Sequence, residues 1–264
     1  MDGLLLNTED LYTIVTNAVL AELDRPPLPW HIKAKLQGRP APQSITILHE
    51  WANLPIPPSE YISRTAALQR KIFPTCAPLP GTEDLLSTLT KSGIEVALAT
   101  SSNMVNYQLK SSHLYQEIFR FFPPSQLIKG DDPRVAPGRG KPAPDIYLLA
   151  LETINDRRRI EGKDEIRPEE CLVFEDAVPG VESGRRAGMR VVWVPHQGLL
   201  QEYKGREEAV LAGLCGVYVE GKEDDGKGGR VGTIGDGWGE LRDSLVGFGY
   251  ERYGITVEGD VLKN

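Results

Sequence analysis

Cysteine is scarce in this sequence. The three present, Cys76, Cys171 and Cys215, are far apart and odd in number, which argues against a disulfide framework or a Cys-x-x-Cys metal site and fits a reducing compartment. Histidine is nearly as rare: His31, His49, His113 and His196 show no ligand spacing and read as structural or surface residues. No apolar run approaches the ~18–20 residues that span a bilayer. The opening Met1-Asp2-Gly3-Leu4-Leu5-Leu6-Asn7-Thr8 has an acidic start, a short apolar run and no small-residue cleavage site, unlike a secretory signal. Positive charge is not in excess either. Thirty Lys and Arg face 37 Asp and Glu for a formal net charge of -7, so the bulk field repels nucleic acid and anionic membrane. These absences point to the cytosol or the nucleus, with neither nucleic acid nor membrane as partner; they leave the oligomeric state open.

What is present is ordinary globular material: 264 residues, 40% hydrophobic and 25% charged, enough for one large domain or one domain with an inserted companion. From Thr8 to Lys71 the spacing is helical. Leu11, Val15, Val19 and Leu23 recur every four residues, Ile45, Leu48 and Trp51 every three, and two proline clusters punctuate the stretch. After Pro78-Leu79-Pro80-Gly81 the texture alternates between helical and β-rich runs: Glu83–Lys91, Glu95–Ala99, Pro144–Ile154, Cys171–Phe174, Val181–Ala187 and Val191–Val194. Strands separated by helices imply βαβ units and a parallel sheet. Between Gly221 and Gly239 eight of nineteen residues are glycine, which predicts a mobile loop. Gly216–Glu220 and Glu240–Val246 flank it as an expected last strand and closing helix.

In a parallel sheet, ligands bind where loops leave the carboxyl ends of the strands. Polar residues of complementary kinds stand at four such points: Asp2-Gly3, Thr100-Ser101-Ser102-Asn103, Lys141 within Gly138-Arg139-Gly140-Lys141-Pro142, and Glu175-Asp176. Together they offer carboxylates for a hard divalent cation, hydroxyl and N–H donors, and a fixed ammonium, the set that a phosphoryl group needs. Taken singly, each has a plainer use. Thr100-Ser101-Ser102 could cap the next helix, Gln37-Gly38-Arg39-Pro40 could end one, and Asp131-Asp132-Pro133 reads as a turn. A nucleotide P-loop at Gly138–Lys141 is rejected, because Val135 replaces its first glycine and Pro142 its Ser/Thr.

In their order and wording these segments resemble the motifs of haloacid-dehalogenase-type (HAD) phosphohydrolases of the helical-cap branch, over about residues 1–196. Asp2-Gly3-Leu4-Leu5-Leu6 resembles the tail of the first motif, Asp-x-Asp-Gly. Ala97–Ser102 resembles the second, Gly140–Asp145 the third and Val173–Val181 the fourth, with Gly130-Asp131-Asp132-Pro133 adding to the match. The chain is most similar to the pseudouridine-5′-phosphatase-like group, with β-phosphoglucomutases and sugar-phosphate phosphatases as relatives. The resemblance implies an α/β Rossmannoid core with a parallel sheet, formed by residues 1–9 and 78–264, and an inserted all-helical cap at 10–77. It implies a Mg²⁺-dependent phosphatase for a small phosphorylated metabolite such as a nucleoside- or sugar-phosphate; a phosphomutase is an alternative. Asp2 would be the general acid/base and offer its backbone carbonyl to the metal. Asp176 would bind Mg²⁺, with Glu175 on a metal-bound water. Thr100, Ser101 and Lys141 would grip phosphate, Gln37, Gly38 and Arg39 would face the substrate from the cap, and Thr8 would be a hinge.

There is one departure. In the family the nucleophilic aspartate stands two positions before the acid/base aspartate, and here Met1 already occupies the intervening place. Reading Asp2 as the nucleophile fails, since Leu4 would then stand where the acid/base belongs. The family's first strand, central in its sheet, is also missing. Two unpaired ladders and a slot in the core are therefore expected, together with low stability or local rearrangement. Two explanations stay open: a sequence cut short at the wrong methionine, or a shortened, catalytically inactive product with a ligand- or partner-binding role. As written, hydrolysis through an aspartyl-phosphate is not available to the chain.

Overall fold

The computed structural model describes residues 1–216 and 229–257. The helical unit holds α1 (Thr8–Glu22), α2 (Trp30–Leu36), α3 (Ala41–Ala52) and α4 (Pro58–Ile72). The proline clusters set their starts: Pro29 and Pro57 precede α2 and α4 in extended conformation, and Pro58 opens α4, where a missing N–H costs nothing. Glu9 and Asp10 in the first turn of α1 complement its dipole. The apolar repeats converge as the spacing predicts. Val19, Leu48 and Tyr61 form a buried cluster, with Leu23, Ile45 and Trp51 packed against it, so this unit has a small core of its own.

The α/β unit follows as α5 (Thr82–Lys91), β1 (Leu98–Ala99), α6 (Met104–Ser111), β2 (Leu127–Ile128), α7 (Asp145–Ile160), β3 (Leu172–Glu175), α8 (Val178–Arg186), β4 (Arg190–Trp193), α9 (Gln197–Glu202), α10 (Glu207–Leu211) and β5 (Gly239–Leu241). Among the described residues the strand ladders are parallel, with one isolated antiparallel bridge between Leu6 and Pro78. Leu98 and Ala99 pair with Leu127 and Ile128; Leu172–Glu175 pair with Arg190–Trp193, and Val191–Trp193 pair with Gly239–Leu241. The sheet is not continuous. Among the described residues β1-β2 and β3-β4-β5 are separate, and a cleft of about 830 Å³ lies between them. β1 covers two residues, Leu98–Ala99, rather than the expected Glu95–Ala99.

The C-terminal expectations need correction. Glu240–Val246 is not a helix: Gly239-Glu240-Leu241 completes the free edge of β4, and Arg242 then donates to the carbonyls of Ser244, Val246 and Gly247 in a turn. Tertiary pairing overrides a weak helical spacing here. Most of the expected strand Gly216–Glu220, and residues 221–228 of the expected mobile loop, lie outside the described residues. The rest of that loop is anchored. Asp236 accepts N–H bonds from Thr233 and Trp238 at 3.0 and 2.9 Å and pairs with the buried Arg185.

Candidate active site

The carboxyl ends of β1 and β3 bring the predicted residues to one place. Thr100 leaves β1 held by its N–H on Ile128 O at 3.0 Å. The helix that follows is capped by Asn103, whose side chain accepts from Asn106 N–H at 2.9 Å. The alternative use of Thr100-Ser101-Ser102 as a cap is therefore not what they do. Ser102 Oγ donates to Asp2 Oδ2 at 2.8 Å, and Thr8, at the start of α1, donates to Asp2 Oδ1 at 2.7 Å. Lys141 Nζ bridges the two strand ends, donating to Ala99 O at 3.2 Å and pairing with Glu175 Oε1. Tyr147 OH donates to that same oxygen, while Glu175 Oε2 accepts from the N–H groups of Asp176 and Ala177 at 3.1 and 3.3 Å. Asp176 is fixed through its backbone by Trp193 Nε1, 2.9 Å from its carbonyl.

The helical unit closes over this edge. Gln37 Nε2 donates to Asp176 Oδ2 at 2.6 Å, Ser101 Oγ donates to Gly38 O at 3.1 Å, and Arg39 Nη2 donates to Gly216 O at 3.0 Å. Gly38 has φ +76°, and a Cβ there would meet Ala177 Cβ at 2.6 Å; only glycine fits both demands. Gly3 likewise has φ +64° and lies against the Asp176 carboxylate. A cavity of about 470 Å³ remains between the two units, lined by Asp2, Thr100, Ser101, Lys141, Glu175 and Asp176 from below and by Gln37, Gly38 and Arg39 from above. Every residue to which the resemblance assigns a role lines it except Thr8, and Thr8 touches Asp2.

Four carboxylates crowd this edge, and three have a lysine each. Burial, the largest single influence, would raise the Asp2 carboxyl, but Lys110 Nζ at 2.6 Å, the N-terminal ammonium and the Thr8 hydroxyl together outweigh it and hold Asp2 below the ordinary range. Burial opposes at Glu175 too, and Lys141, the N-terminal ammonium and the Tyr147 hydroxyl together lower it. Glu9 lies 3.5 Å from Lys33, yet its burial prevails and its carboxyl is raised. Asp176 is the exception. Burial and the nearby charges of Glu175 and Glu9 push it well above the usual carboxylate range, and among the described residues no lysine, arginine or histidine lies within ion-pair reach. Its side chain has a neutral amide for a partner instead. Asp176 is thus a buried carboxylate with room for a cation, and Gln37 Oε1, buried beside it, lacks a hydrogen-bond partner.

These residues fit a magnesium ion. Among the described residues no three His, Cys, Asp or Glu side chains form a metal cage, but Mg²⁺ keeps several waters and commonly takes one or two protein carboxylates plus substrate phosphate. Asp176 and the Asp2 carbonyl could supply the protein's share. Both Glu175 oxygens are already engaged, so a role on a metal-bound water would use Oε2 alongside two backbone N–H groups.

Sequence reasoning missed Lys110, Tyr12, Lys33 and Tyr147. Lys110 is fully buried and also donates to Ser102 Oγ at 2.6 Å and to Tyr12 OH at 3.1 Å. The sequence carries no signal for it: that Lys110 is buried in α6 while Met104 and Val105 are exposed, the inverse of ordinary patterning, is visible only in the structure.

The profile of haloacid dehalogenase-like hydrolases matches residues 1–188. The chain belongs to that family. Among curated relatives, a Saccharomyces cerevisiae protein named as a probable pseudouridine-5′-phosphatase is 46% identical over 81% of this chain and 87% of its own length. The mitochondrial (DL)-glycerol-3-phosphatase 1 of Arabidopsis thaliana is 34% identical over 83% of this chain and 70% of its own. Of solved structures, CbbY from Rhodobacter sphaeroides in complex with xylulose-1,5-bisphosphate superposes with a TM-score of 0.59 at 19% identity, covering 94% of this chain and 93% of that one. That last likeness concerns the fold. Among the described residues its parallel sheet is in two parts. No helix among its described residues is long and apolar enough to cross a membrane.

Proposed function

We propose that the chain carries the phosphate, metal and leaving-group machinery of a phosphomonoester phosphatase for a small phosphorylated metabolite such as a nucleoside- or sugar-phosphate. The observation that carries this reading is the convergence of Thr100, Lys141, Asp2 and Asp176 on one covered cavity of about 470 Å³. The names of the relatives, a pseudouridine-5′-phosphatase and a glycerol-3-phosphatase, support the same class. Thr100 Oγ1, the Ser101 N–H and Lys141 Nζ bind phosphoryl oxygens. When bound at Asp176 and the Asp2 carbonyl, Mg²⁺ neutralises phosphate charge. Asp2, ionised under Lys110, takes a proton from water at its carboxylate; an approaching phosphate dianion opposes Lys110 and lets the same carboxyl hold a proton for a leaving oxygen. Gln37 and Arg39 close the cavity above and exclude water, with Thr8 as the hinge between cap and core.

The attacking carboxylate belongs two positions before Asp2, and no residue of this sequence stands there. The test compares the 264-residue chain with one carrying an apolar segment and an aspartate ahead of Met1, with p-nitrophenyl phosphate as substrate. Mg²⁺-dependent phosphate release is expected from the extended chain alone. Turnover by the 264-residue chain would show that the nucleophile is placed wrongly. Phosphate binding without turnover in both would favour a non-catalytic ligand-binding protein.

A further inference from the structure

The helical unit meets the α/β unit through α2, and one stripe of that helix makes the contact. Trp30, Ala34 and Gln37 stand at i, i+4 and i+7 and so share a face. Ala34 is buried in a core cluster of the α/β unit with Val178, Val181 and Leu199, and Trp30 packs against the same cluster. Leu36 packs instead against the cluster of the helical unit. Gln37 ends the stripe and donates to Asp176 Oδ2 at 2.6 Å. Trp30 begins it, about 10 Å away at ~1.5 Å of rise per residue, and is not among the residues that line the cavity.

The seat of Trp30 is specific. Its ring stacks on His196, just before α9, with centroids 4.6 Å apart and planes at 19°. Gly198 N–H donates to His196 Nδ1 at 3.0 Å and fixes that platform. A Cβ at Gly198 would meet three indole atoms of Trp30 at 2.0, 2.3 and 2.4 Å. The backbone of Gly198 is not left-handed, and glycine is a poor residue for a helix; what excludes a side chain there is the indole. Lys33 Nζ lies 4.4 Å from the centre of the Trp30 ring and donates to Glu9 O at 2.8 Å and Thr13 Oγ1 at 2.7 Å, which ties the same end of α2 to α1.

We propose that Trp30 is a positioning residue: seated on His196 and Gly198, it sets the register of α2 on the core and thereby holds the Gln37 amide on Asp176. The tolerance is narrow. A methyl at Gly198 drives the indole back by about 1.5 Å or more before an ordinary carbon contact of ~3.5–4.0 Å is reached. Passed along a rigid helix of seven residues, such a shift carries the 2.6 Å bond of Gln37 beyond hydrogen-bond range. The seat of Trp30 is independent of the phosphatase reading, and only its consequence for phosphate rests on that reading.

The test follows hydrogen exchange of the Gln37 side-chain amide by NMR in the 264-residue chain. The Asn155 side-chain amide, which donates to Ile166 O at 2.9 Å in the α/β unit, is the internal reference. Trp30→Ala and Gly198→Ala are each expected to speed exchange at Gln37 at least tenfold and to leave Asn155 unchanged. Trp30→Phe keeps a ring on His196 and is expected to restore exchange close to wild type. The double variant is expected to exchange no faster than Trp30→Ala, because the added methyl then meets no indole. Alanine is the better helix former at position 198, so release of Gln37 by Gly198→Ala does not reflect lost folding. Unchanged exchange at Gln37 in either single variant, equal acceleration at Asn155, no rescue by phenylalanine, or additive losses in the double variant would overturn the proposal. Calorimetry with inorganic phosphate and Mg²⁺ on the same variants is expected to show affinity falling at least threefold wherever Gln37 is released. Released Gln37 with unchanged phosphate affinity counts against the phosphatase reading alone.

Discussion

Lys110 offers the sharpest test of how the site is held. Its side chain is fully buried, whereas the Asp2 side chain keeps 18% of its surface. Lys110→Met keeps most of the volume, so the cavity contribution is small, and what remains is a carboxylate stripped of its ammonium. Removing one partner of a buried pair costs ~3–5 kcal/mol. Because Asp2 reaches some water and keeps donors from Thr8 and Ser102, the loss falls below that range, about 2–3 kcal/mol at pH 7. The pH dependence has a definite sign. Asp2 is lowered in the folded chain, so its stabilisation is present above the unfolded carboxyl value and is lost as pH falls through the folded one. Lys110 is raised, so its share is present below the unfolded amine value and is lost as pH rises through the folded one. The gap between wild type and variant is therefore widest between about pH 5 and 9 and closes on the acid side. Urea unfolding followed by tryptophan fluorescence reads it. Asp2→Asn in the Lys110→Met background is expected to recover at least half the loss, since the uncompensated charge is gone. A pH-independent loss, or no recovery in the double variant, refutes the assignment.

Asp176 carries the opposite prediction. Its carboxyl is raised, so stability falls as pH rises from the unfolded carboxyl value towards the folded one. Asp176→Asn is expected to raise the melting temperature at pH 8 but not at pH 4, and to abolish any Mg²⁺-dependent stabilisation seen in the wild type. Gly38→Ala combines a left-handed backbone with a collision against Ala177 and is expected to cost about 1–2 kcal/mol, a fall of several degrees by calorimetry. It is also expected to weaken phosphate binding through the displaced cap loop. Asp236→Ala leaves the buried Arg185 unpaired, and limited proteolysis is expected to cut 229–239 at least tenfold faster than in wild type, with unchanged cutting showing that the anchor lies elsewhere.

The sequence revealed most where residue chemistry and chain direction coincide. Thr100, Lys141, Glu175 and Asp176 each follow an apolar run or precede a helix, and a parallel sheet must gather such points. The helical unit was equally readable, because Val19 and Leu48 fall on a regular spacing and bury together. What escaped depends on distant partners. Gly239–Leu241 is a strand only because β4 has an edge to fill. Lys110 looks like any surface lysine until Asp2, a hundred residues earlier, is placed beside it. Asp236 sits in a glycine-rich stretch whose composition suggests mobility, and a single buried arginine overrides composition.

The pairing of charges around the cavity preorganises the site. Each compensated carboxylate takes its lysine from a different element: Asp2 from α6, Glu9 from α2, Glu175 from the loop before α7. These pairs tie the N-terminus, the helical unit and β3 together before any phosphate arrives, which leaves little reorganisation to be done on binding. Asp176 stands outside the scheme. Its repulsion from Glu175 and Glu9 is offset in part by the N-terminal ammonium and the Gln37 amide, an added cation or a proton would relieve the rest, and Gln37, the one side chain bonded to it among the described residues, belongs to the cap. A cation that displaces the Gln37 amide therefore loosens a cap contact as it binds, while a phosphate bound beneath the cap gives Gln37 and Arg39 new partners. Metal and substrate thus pull the cap in opposite directions, and phosphate bound beneath the cap is what restores the closed arrangement once the cation has displaced the Gln37 amide.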